Sequence, residues 1–517
     1  MPNAPDVVAL EVDLSQYAAR YASSVVGMVG PATKGPVNTL TYITNALQYV
    51  STFGSPMSGS GAVPYAAHAA VQFLREGNQL WFVRIQAASG AAVAASAVVL
   101  NSSSQTVLTV SGSTPGTWGN YTTSGTKIRG VQVRIDDPLD TTYTSSRFRL
   151  TVVVDGVEIE VFDNLVWTPS TDTNYFTTRI NGVSQYITVT AGASATKPSN
   201  TTYSMSGGTN GTVGLVDSDY IGTATSIART GMQLLADQDS ADINVLCVPG
   251  ASRNVMQQGV AVVESRKDCI FLIDPPVGFT SVAAVRNWVN GTDGSGNSFN
   301  SSYAAAYWPW VEYYDQYNDA YVFTPPSGWM CGVIALTDAT TEPWFAPAGL
   351  TRGLLRTANR LEYSPTKGER ELLASPGEVV NPIIKKPGYG IVVWSQKTTQ
   401  RISSALDRVN VRRLMLVAEK TIVKSIEFLV FEPNDPVTWR RFEKIVNPVL
   451  DTLKARRGLE KFQVICNSTT NTDTLRDQNT MRGILLMQPV KTAEVIQVNF
   501  VVTSAGADFS EVLASVV

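Results

Sequence analysis

Few residues in this sequence carry side chains that enzymes use for proton transfer and nucleophilic attack. The 517 residues include one histidine, His68, in the segment PYAAHAAVQF. A Ser–His–Asp or Cys–His site would have to use this residue. Its neighbours are alanines on a predicted packing helix, which favours a structural histidine over a catalytic one. We therefore expect no catalytic site.

Metal and phosphate sites also lack their usual spacing. The chain has four widely separated cysteines, none in a CxxC pair: Cys247, Cys269, Cys331 and Cys466. Such cysteines are typical of buried thiols in a reducing compartment, with disulfides as the alternative. No segment has the frame of a calcium loop or a P-loop. We therefore expect no metal and no cofactor.

The net charge of −3 hides an uneven distribution. Residues 1–350 hold 16 Lys and Arg against 26 Asp and Glu, and residues 351–517 hold 24 against 17. A basic C-terminal third suits either nucleic acid or an acidic protein. Aromatic residues are not interleaved with the basic ones as in a single-strand groove, so we favour a protein partner and no direct nucleic-acid binding.

Nothing in the hydropathy pattern indicates membrane insertion. The longest weakly polar run, residues 91–100, is too short to cross a bilayer. The N-terminal segment MPNAPDVVALEVDLSQY lacks a basic region followed by an apolar one, so no secretory signal is predicted.

The elements that would position any site begin with an α/β pattern. A buried strand is predicted at 25–29, helices at 45–53 and 64–77, and a second strand at 80–85. After residue 91 the sequence becomes rich in Ser, Thr and turn pairs between short β-rich runs. This composition indicates an all-β sandwich or barrel.

The next stretch returns to alternating strands and helices. Apolar runs at 243–248 and 269–273 predict buried strands, and helical segments separate them. Because strands linked by helices run in the same direction, we expect a parallel sheet.

A long amphipathic helix is predicted in VNVRRLMLVAEKTIVKSIEFLVFEPND, which starts at Val409. Positions three and four residues apart form an apolar stripe of Val411, Leu414, Ala418, Ile422, Ile426 and Leu429. A second, mostly basic stripe consists of Arg413, Lys420, Lys424 and Glu427. Pro433 is expected to end this helical region, because proline cannot continue a helix. A second helix is predicted near 437–457.

Several segments resemble contractile phage tail sheath proteins, in the same order along the chain. VVGMVGPATKGPVNTLTYITNALQYVSTFG and AAVQFLREGNQLWFVRI resemble the N-terminal signature of that family. PGTWGN and MSGGTNG resemble the borders of its β-insertion, and TPPSGWMCGVIALTDATTEPWFAPAG resembles the junction after its subtilisin-like domain. The helix starting at Val409 and the segment PVKTAEVIQVNFVV resemble its C-terminal domain. GERELLASPGEVVNPIIKKPGYG departs from the pattern, which leaves the local loop path open.

The resemblance implies an α/β and α+β multidomain fold: a discontinuous inner α/β domain, an inserted all-β sandwich or barrel, a subtilisin-like α/β domain and extended terminal arms. The implied divisions are an N-terminal arm at 1–20, the first part of the inner domain at 21–90, the β-insertion at 91–212, the subtilisin-like domain at 213–354, the C-terminal sheath domain at 355–504 and a C-terminal arm at 505–517. The segment 21–90 is expected to join the C-terminal domain, with the middle domains facing outward. "Subtilisin-like" refers only to the sheet, so no enzyme activity is implied.

The resemblance also implies a structural function. Copies would assemble as stacked rings or a helical lattice around a tail tube protein, then contract to drive the tube through a host cell envelope for genome delivery. Baseplate and tail terminator proteins are further implied partners. The implied location is the virion tail, after assembly in the host cytoplasm. A sheath of a related injection system or tailocin is the nearest alternative; a hydrolase and a nucleic-acid-binding module are alternatives from other classes.

Both ends of the sequence are expected to tether neighbouring subunits by adding a strand to a sheet edge. The N-terminal segment alternates as a half-buried strand does, with one face formed by Val8, Leu10, Val12 and Leu14. The C-terminal segment offers three apolar anchors, Phe509, Val512 and Val516. Frayed termini are the alternative interpretation.

The basic stripe of the long helix is the second expected interaction surface. Arg413, Lys420 and Lys424 are expected to face outward, toward an acidic tube or neighbouring subunit. A charged face that only meets solvent is the alternative. Single exposed ion pairs contribute only about 0–1 kcal/mol, so repetition over many subunits would be needed.

Overall fold

The computed structural model describes residues 24–57, 65–125, 127–168, 172–225, 228–294, 296–375 and 379–494. The strands of these ranges are, in chain order, β1 Val26–Gly30, β2 Leu40–Ile43, β3 Leu80–Arg84, β4 Ser96–Leu100, β5 Thr106–Gly112, β6 Thr122–Ser124, β7 Lys127–Arg129, β8 Val131–Asp136, β9 Arg147–Val154, β10 Val157–Val166, β11 Ile187–Ala191, β12 Thr202–Ser204, β13 Val245–Cys247, β14 Ile270–Ile273, β15 Ala304–Trp308, β16 Val311–Asp315, β17 Ala320–Thr324, β18 Arg360–Leu361, β19 Asn381–Lys386, β20 Gly390–Val393, β21 Leu459–Ile465 and β22 Ile484–Pro489.

The helices of the same ranges are α1 Ala46–Phe53, α2 Ala66–Phe73, α3 Phe176–Ile180, α4 Asp217–Ile221, α5 Arg253–Arg266, α6 Val282–Asn290, α7 Pro326–Thr340, α8 Gly349–Arg352, α9 Lys367–Leu373, α10 Val409–Ile426, α11 Pro436–Ala455 and α12 Asp473–Asp477. Within the described ranges no helix is both long enough and apolar enough to cross a membrane.

An eight-stranded sheet forms the centre of the described chain. Its strand order is β2-β3-β1-β13-β14-β15-β19-β20. The pairs from β3 through β19 are parallel, and the edge strands β2 and β20 are antiparallel to their neighbours. The predicted parallel sheet is therefore confirmed for β13 and β14, which lie at the apolar runs identified in the sequence.

Helices cover both faces of this sheet, because alternate residues of each buried strand point to opposite sides. Val26 and Met28 of β1 belong to one core, which also contains residues of α2 and α7. Val25 and Val29 belong to the other core, together with residues of α5 and α6. The fold is thus mixed α/β at its centre, with burial on both faces of its inner strands.

The segment 21–90 contributes the first three strands of this sheet. Its strand β1 pairs with β13, in register Val26↔Val245. The wholly buried β1 needs a hydrogen-bonding partner on each side, and β3 and β13 supply them. Strands β19 and β20 complete the opposite end of the same sheet. The expectation that 21–90 joins the C-terminal domain as one structural unit stays a prediction.

Residues 96–204 form a mainly β region that also contains the short helix α3. The sheets β10-β9-β8-β12 and β11-β5-β4 share one hydrophobic core, which includes Val133, Leu150, Phe162, Val110 and Val189. The strands alternate buried and half-buried positions, as in VQVRID of β8. A chain rich in β-branched residues and turns therefore packs its apolar faces against each other.

The C-terminal region combines α10, α11 and the two-stranded ribbon β21–β22. Leu414, Ile422, Trp439 and Phe442 contribute to its core. The α10 helix ends at Ile426 and a short 3₁₀ turn follows, so the expectation that Pro433 ends the helix is wrong. The chain has already left the helix before the proline, and the Asp435 carboxylate accepts hydrogen bonds from the first turn of α11.

Candidate interaction surfaces

The apolar stripe of α10 packs as its spacing predicts. Leu414, Ala418 and Ile422 are buried against α11 and the ribbon β21–β22. Val409 and Leu416 instead enter the core under the large sheet. The first half of α10 is therefore enclosed on more than one side, and the helix joins the C-terminal region to the central sheet.

The predicted outward orientation of Arg413 is wrong. Its side chain is 3% exposed and forms an ion pair with Asp338 of α7 at 2.5 Å. It also donates to the carbonyl oxygen of Pro343 at 3.0 Å. A buried guanidinium needs a partner for its charge, and α7 supplies that partner within the same chain.

Lys420 is also turned inward, against expectation. Its ammonium pairs with Asp242 and lies 3.6 Å from Asp268, and its side chain is 15% exposed. These aspartates precede β13 and β14, so the second stripe of α10 packs on the central region. The ammonium group of Lys420 is therefore paired within its own chain, and it does not face a tube or a neighbouring subunit as predicted.

Lys424 is the one member of the predicted set that meets solvent in the described structure. Its side chain is 52% exposed, and its Nζ atom lies 3.7 Å from the carboxylate of Glu427. A role in contacting a tube or a neighbouring subunit stays a prediction for this residue. The predicted arm residues Val8, Leu10, Val12, Leu14, Phe509, Val512 and Val516 lie outside the described ranges.

The ribbon β21–β22 is an interaction surface that sequence reasoning missed. Val464 and Leu485 on one face pack toward α11. The other face carries the opposed pairs Ile465↔Ile484 and Gln463↔Leu486. Ile484 is 40% exposed and Leu486 is 52% exposed. In the described ranges each strand pairs only with the other, so the outer edge of each lacks a strand partner.

A sequence signal for this surface exists in GILLMQPV. Four consecutive apolar residues, Ile484 to Met487, place apolar side chains on both faces of a strand. Such a run is typical of a strand that is covered on both sides. Among the described residues, one face is covered by α11 and the other exposes Ile484 and Leu486.

The ring of the buried His68 contacts a tyrosine hydroxyl and a backbone carbonyl group in the described part of the chain. Its Nδ1 atom lies 2.7 Å from the Tyr313 hydroxyl and 4.0 Å from Asp315, and its Nε2 atom faces the carbonyl oxygen of Met57 at 3.4 Å. Burial lowers the pKa of His68, although the Asp315 charge acts in the opposite direction. This geometry suits a neutral imidazole that joins α2 to β16.

Asp274 and the four cysteines are further titratable groups, and all of them are buried. Asp274 accepts hydrogen bonds from the backbone and hydroxyl of Ser327, at the start of α7. Burial raises the pKa of Asp274 to about 7, against the effect of these hydrogen bonds. Cys247, Cys269, Cys331 and Cys466 are buried free thiols. Over the described ranges no cluster of His, Cys, Asp and Glu has the makings of a metal site.

Two sequence families match consecutive parts of this chain. Residues 228–399 match the phage tail sheath protein central domain, and residues 403–503 match the phage tail sheath C-terminal domain. Together the matches span just over half of the chain. The chain belongs to the phage tail sheath protein family. The matched ranges contain the central strands β13–β20, helix α10 and the ribbon.

Individual relatives agree with this assignment. The tail sheath protein of Vibrio phage KVP40 is 29% identical over 355 residues, which is 64% of this chain and 51% of the relative. That of Enterobacteria phage T4 is 31% identical over 293 residues, 53% of this chain and 44% of the relative. The chain thus spans about half the length of these phage relatives.

A solved sheath has the same fold along nearly the whole chain. The sheath tail protein of Desulfitobacterium hafniense superimposes with a TM-score of 0.60 at 13% identity, covering 94% of this chain and 100% of its own. At this level of identity the likeness concerns the fold alone. It shows a mixed α/β architecture with several sheets, as the structure described above has.

Proposed function

We propose that this sheath-family chain is the structural subunit of a contractile sheath. Copies polymerise in stacked rings or a helical lattice around an inner tube, and contraction drives the tube through a cell envelope. The observation that carries this proposal is the ribbon β21–β22 in the family's C-terminal domain: in the part of the chain that the structure describes, its outer edges have no strand partner and its outer face exposes apolar side chains. Delivery of a genome by a phage tail is the favoured use, and injection without a genome is the alternative.

The ribbon suits strand addition from a neighbouring subunit. A two-stranded ribbon is marginally stable alone, and an unpaired edge invites another strand. One added strand supplies hydrogen-bond partners for an edge, and its apolar face can cover Ile484 and Leu486. The alternating N-terminal segment, with Val8, Leu10, Val12 and Leu14, is the proposed donor. The C-terminal segment around Phe509 is the proposed second tether.

Tethers of this kind would keep neighbouring subunits attached to each other while the lattice rearranges. Backbone hydrogen bonds and buried apolar side chains hold each tether, while weaker surface contacts exchange during contraction. An exposed ion pair contributes only about 0–1 kcal/mol, so contacts of residues such as Lys424 can exchange at little cost. The tube, baseplate and terminator proteins are the proposed partners, and the virion tail assembled in a host cytoplasm is the proposed location.

The domain divisions fit this function as a proposal. The β-insertion at 91–212 faces outward as a sandwich, and the subtilisin-like domain at 213–354 supports it. The inner part, formed by 21–90 and the C-terminal domain at 355–504, lies nearer the tube, and the arms at 1–20 and 505–517 join the copies. No catalytic step is proposed for any of these parts.

The proposal is tested by removing one tether. Deletion of residues 1–15 should leave a folded, soluble chain that forms no tubes in electron micrographs, because the ribbon loses its added strand. Leu486→Lys should weaken tube formation in the full chain, since it places a charge on the face that the strand covers. Val183→Lys, at a residue 61% exposed in the β-region, is the matched control and should leave tubes intact. Normal tubes from the deletion would refute the arm mechanism.

A further inference from the structure

Two chain segments connect the β-region, residues 96–204, to the central sheet, and they run side by side. The entering segment follows β3, and the leaving segment precedes α4. The amide of Ala87 donates to the carbonyl oxygen of Gly211 at 2.7 Å. Val93 and Thr209 exchange two backbone hydrogen bonds, at 3.1 and 2.9 Å. A pair of segments that crosses once between two regions can act as a hinge, so other contacts must decide the direction in which the β-region projects.

Arg84, the last residue of β3, lies at this junction. It is fully buried, and its guanidinium donates three hydrogen bonds to backbone carbonyl oxygens. Nη1 donates to Gly35 at 2.6 Å and to Pro115 at 2.7 Å, and Nη2 donates to Asn210 at 3.1 Å. Gly35 belongs to the loop between β1 and β2 of the central sheet, Pro115 follows β5 of the β-region, and Asn210 lies in the leaving segment. One side chain therefore joins the central sheet to the β-region and to its connection.

The charge of Arg84 makes its environment sensitive to the positions of these three carbonyl groups. Burial lowers the pKa of Arg84 to about 10, so the side chain is still charged at neutral pH. A buried charge is tolerated where hydrogen bonds replace its lost hydration. The three acceptors come from chain segments on both sides of the junction. Rotation of the β-region would therefore take acceptors away from a buried cation, and this loss opposes the rotation.

The loop between β1 and β2 makes further contacts with the β-region. The amide of Gly35 donates to Oγ1 of Thr114 at 3.3 Å. The ammonium of Lys34 lies 4.5 Å from the centre of the Trp118 ring, within the range of a cation–π contact. On its other side the loop is held by the central region, because the amide of Lys34 donates to the carbonyl oxygen of Phe53 at 3.1 Å. The loop thus connects the end of α1 to the β-region.

We propose that Arg84 is the positioning residue of the β-region: it sets the direction in which that region projects from the central sheet. Lys34 supports this direction through the ring of Trp118. Without Arg84 the two connecting segments remain but act as a hinge, and the β-region takes a range of orientations. The inference concerns the single chain and goes beyond the proposed assembly into a sheath. In such a sheath a fixed projection would place equivalent surfaces of successive copies at a constant spacing.

The test measures the distance between two nitroxide labels on the full-length chain by double electron–electron resonance, at concentrations where the chain is unassembled. One label is attached at Thr190→Cys in the β-region and the other at Ala261→Cys in α5, because both positions are exposed and the four native cysteines are buried. The chain with Arg84 should give one narrow distance distribution. Arg84→Met should widen this distribution about twofold or more, because the hinge is released. Arg84→Lys keeps the charge but loses the planar fork of donors, so it should give an intermediate width.

Arg266→Met is the matched control. Arg266 is also buried and also donates to three backbone carbonyl oxygens. Its acceptors are Leu235, Asp237 and Ala241, which all lie in the central region. This variant should lower the melting temperature without widening the distance distribution. An unchanged distribution in Arg84→Met, or equal widening in Arg84→Met and Arg266→Met, would overturn the assignment.

Lys34→Ala keeps the test decisive if circular dichroism shows that Arg84→Met is unfolded. It removes the cation beside Trp118 and leaves Arg84 in place, so it should widen the distribution by a smaller factor. In that case, narrow distributions in both Arg84→Lys and Lys34→Ala would overturn the proposal. These measurements use unassembled chains, so their outcome is independent of tube formation in the deletion experiment.

Discussion

Replacement of Arg413 by methionine should separate α10 from the central region. The guanidinium is 3% exposed and pairs with Asp338, which is 4% exposed, at 2.5 Å. Methionine retains the length of the side chain but leaves the Asp338 carboxylate in a buried site without this cation. Breaking a buried pair by removing one partner costs about 3–5 kcal/mol. Loss of the hydrogen bond to the Pro343 carbonyl oxygen adds to this cost.

Lys424→Met is the matched control on the same helix. Its ammonium is 52% exposed and its contact with Glu427 spans 3.7 Å. Exposed pairs of this kind contribute about 0–1 kcal/mol, so the control should differ little from the original chain. The double variant Arg413→Met with Asp338→Leu should regain most of the lost stability, because it removes both buried charges.

Hydrogen exchange of the α10 amides, read by mass spectrometry, is the appropriate assay. Global unfolding of a chain with several regions need not be two-state, whereas exchange reports the opening of one helix. The amides of α10 should exchange faster by about two to four powers of ten in Arg413→Met, as expected for about 3–5 kcal/mol. Equal exchange in Arg413→Met and Lys424→Met would refute the conclusion that this buried pair holds α10 in place.

Two further substitutions test the packing of α2. Gly328→Ala should destabilise the chain by about 1–3 kcal/mol, because its new methyl group would lie 2.6 Å from the Cα and Cβ atoms of Ala69. Gly368→Ala in α9 is the control: no atom lies within 4 Å of its new methyl group, so it should not lower the melting temperature. At neutral pH the His68→Gln chain should have a lower melting temperature than the original chain. This difference in melting temperature should become smaller as the pH falls from about 7 to about 5. The direction of this change follows from the lowered pKa of His68 in the folded chain. Below the ordinary pKa of histidine, His68 binds a proton in the unfolded chain but not in the folded chain. Acidification therefore lowers the free energy of unfolding of the original chain, whereas the glutamine variant has no such group at this position. A difference that does not change with pH would contradict a neutral, buried His68 beside Tyr313.

The local pattern of the chain predicted much of the architecture. The apolar runs at 243–248 and 269–273 contain β13 and β14, and the stripe of Leu414, Ala418 and Ile422 is buried as its spacing required. These predictions succeed because side-chain burial follows directly from the period of the backbone. The order of strands in the sheet could not be obtained in this way. The pairing of β1 with β13 joins positions more than two hundred residues apart, and no local pattern encodes that choice.

The basic stripe of α10 shows a second limit of local reasoning. Spacing places Arg413, Lys420 and Lys424 near one another on the helix surface, but it does not say what each one meets. The fold brings Asp338 of α7 to Arg413, and Asp242 and Asp268 to Lys420. Only Lys424, one turn farther along, extends beyond the central region.

The sequence by itself determined the kinds of elements, their approximate positions, the scarcity of catalytic groups and the resemblance to sheath proteins. These properties depend on residue type and spacing, which are local. Tertiary structure alone decided which charges are internal, as at Arg413, and which apolar side chains are exposed in the described ranges, as at Ile484 and Leu486 of the ribbon. The physical reason is that a charge or an apolar face acquires its role from the group opposite it, and that group is brought there by the folding of distant parts of the chain.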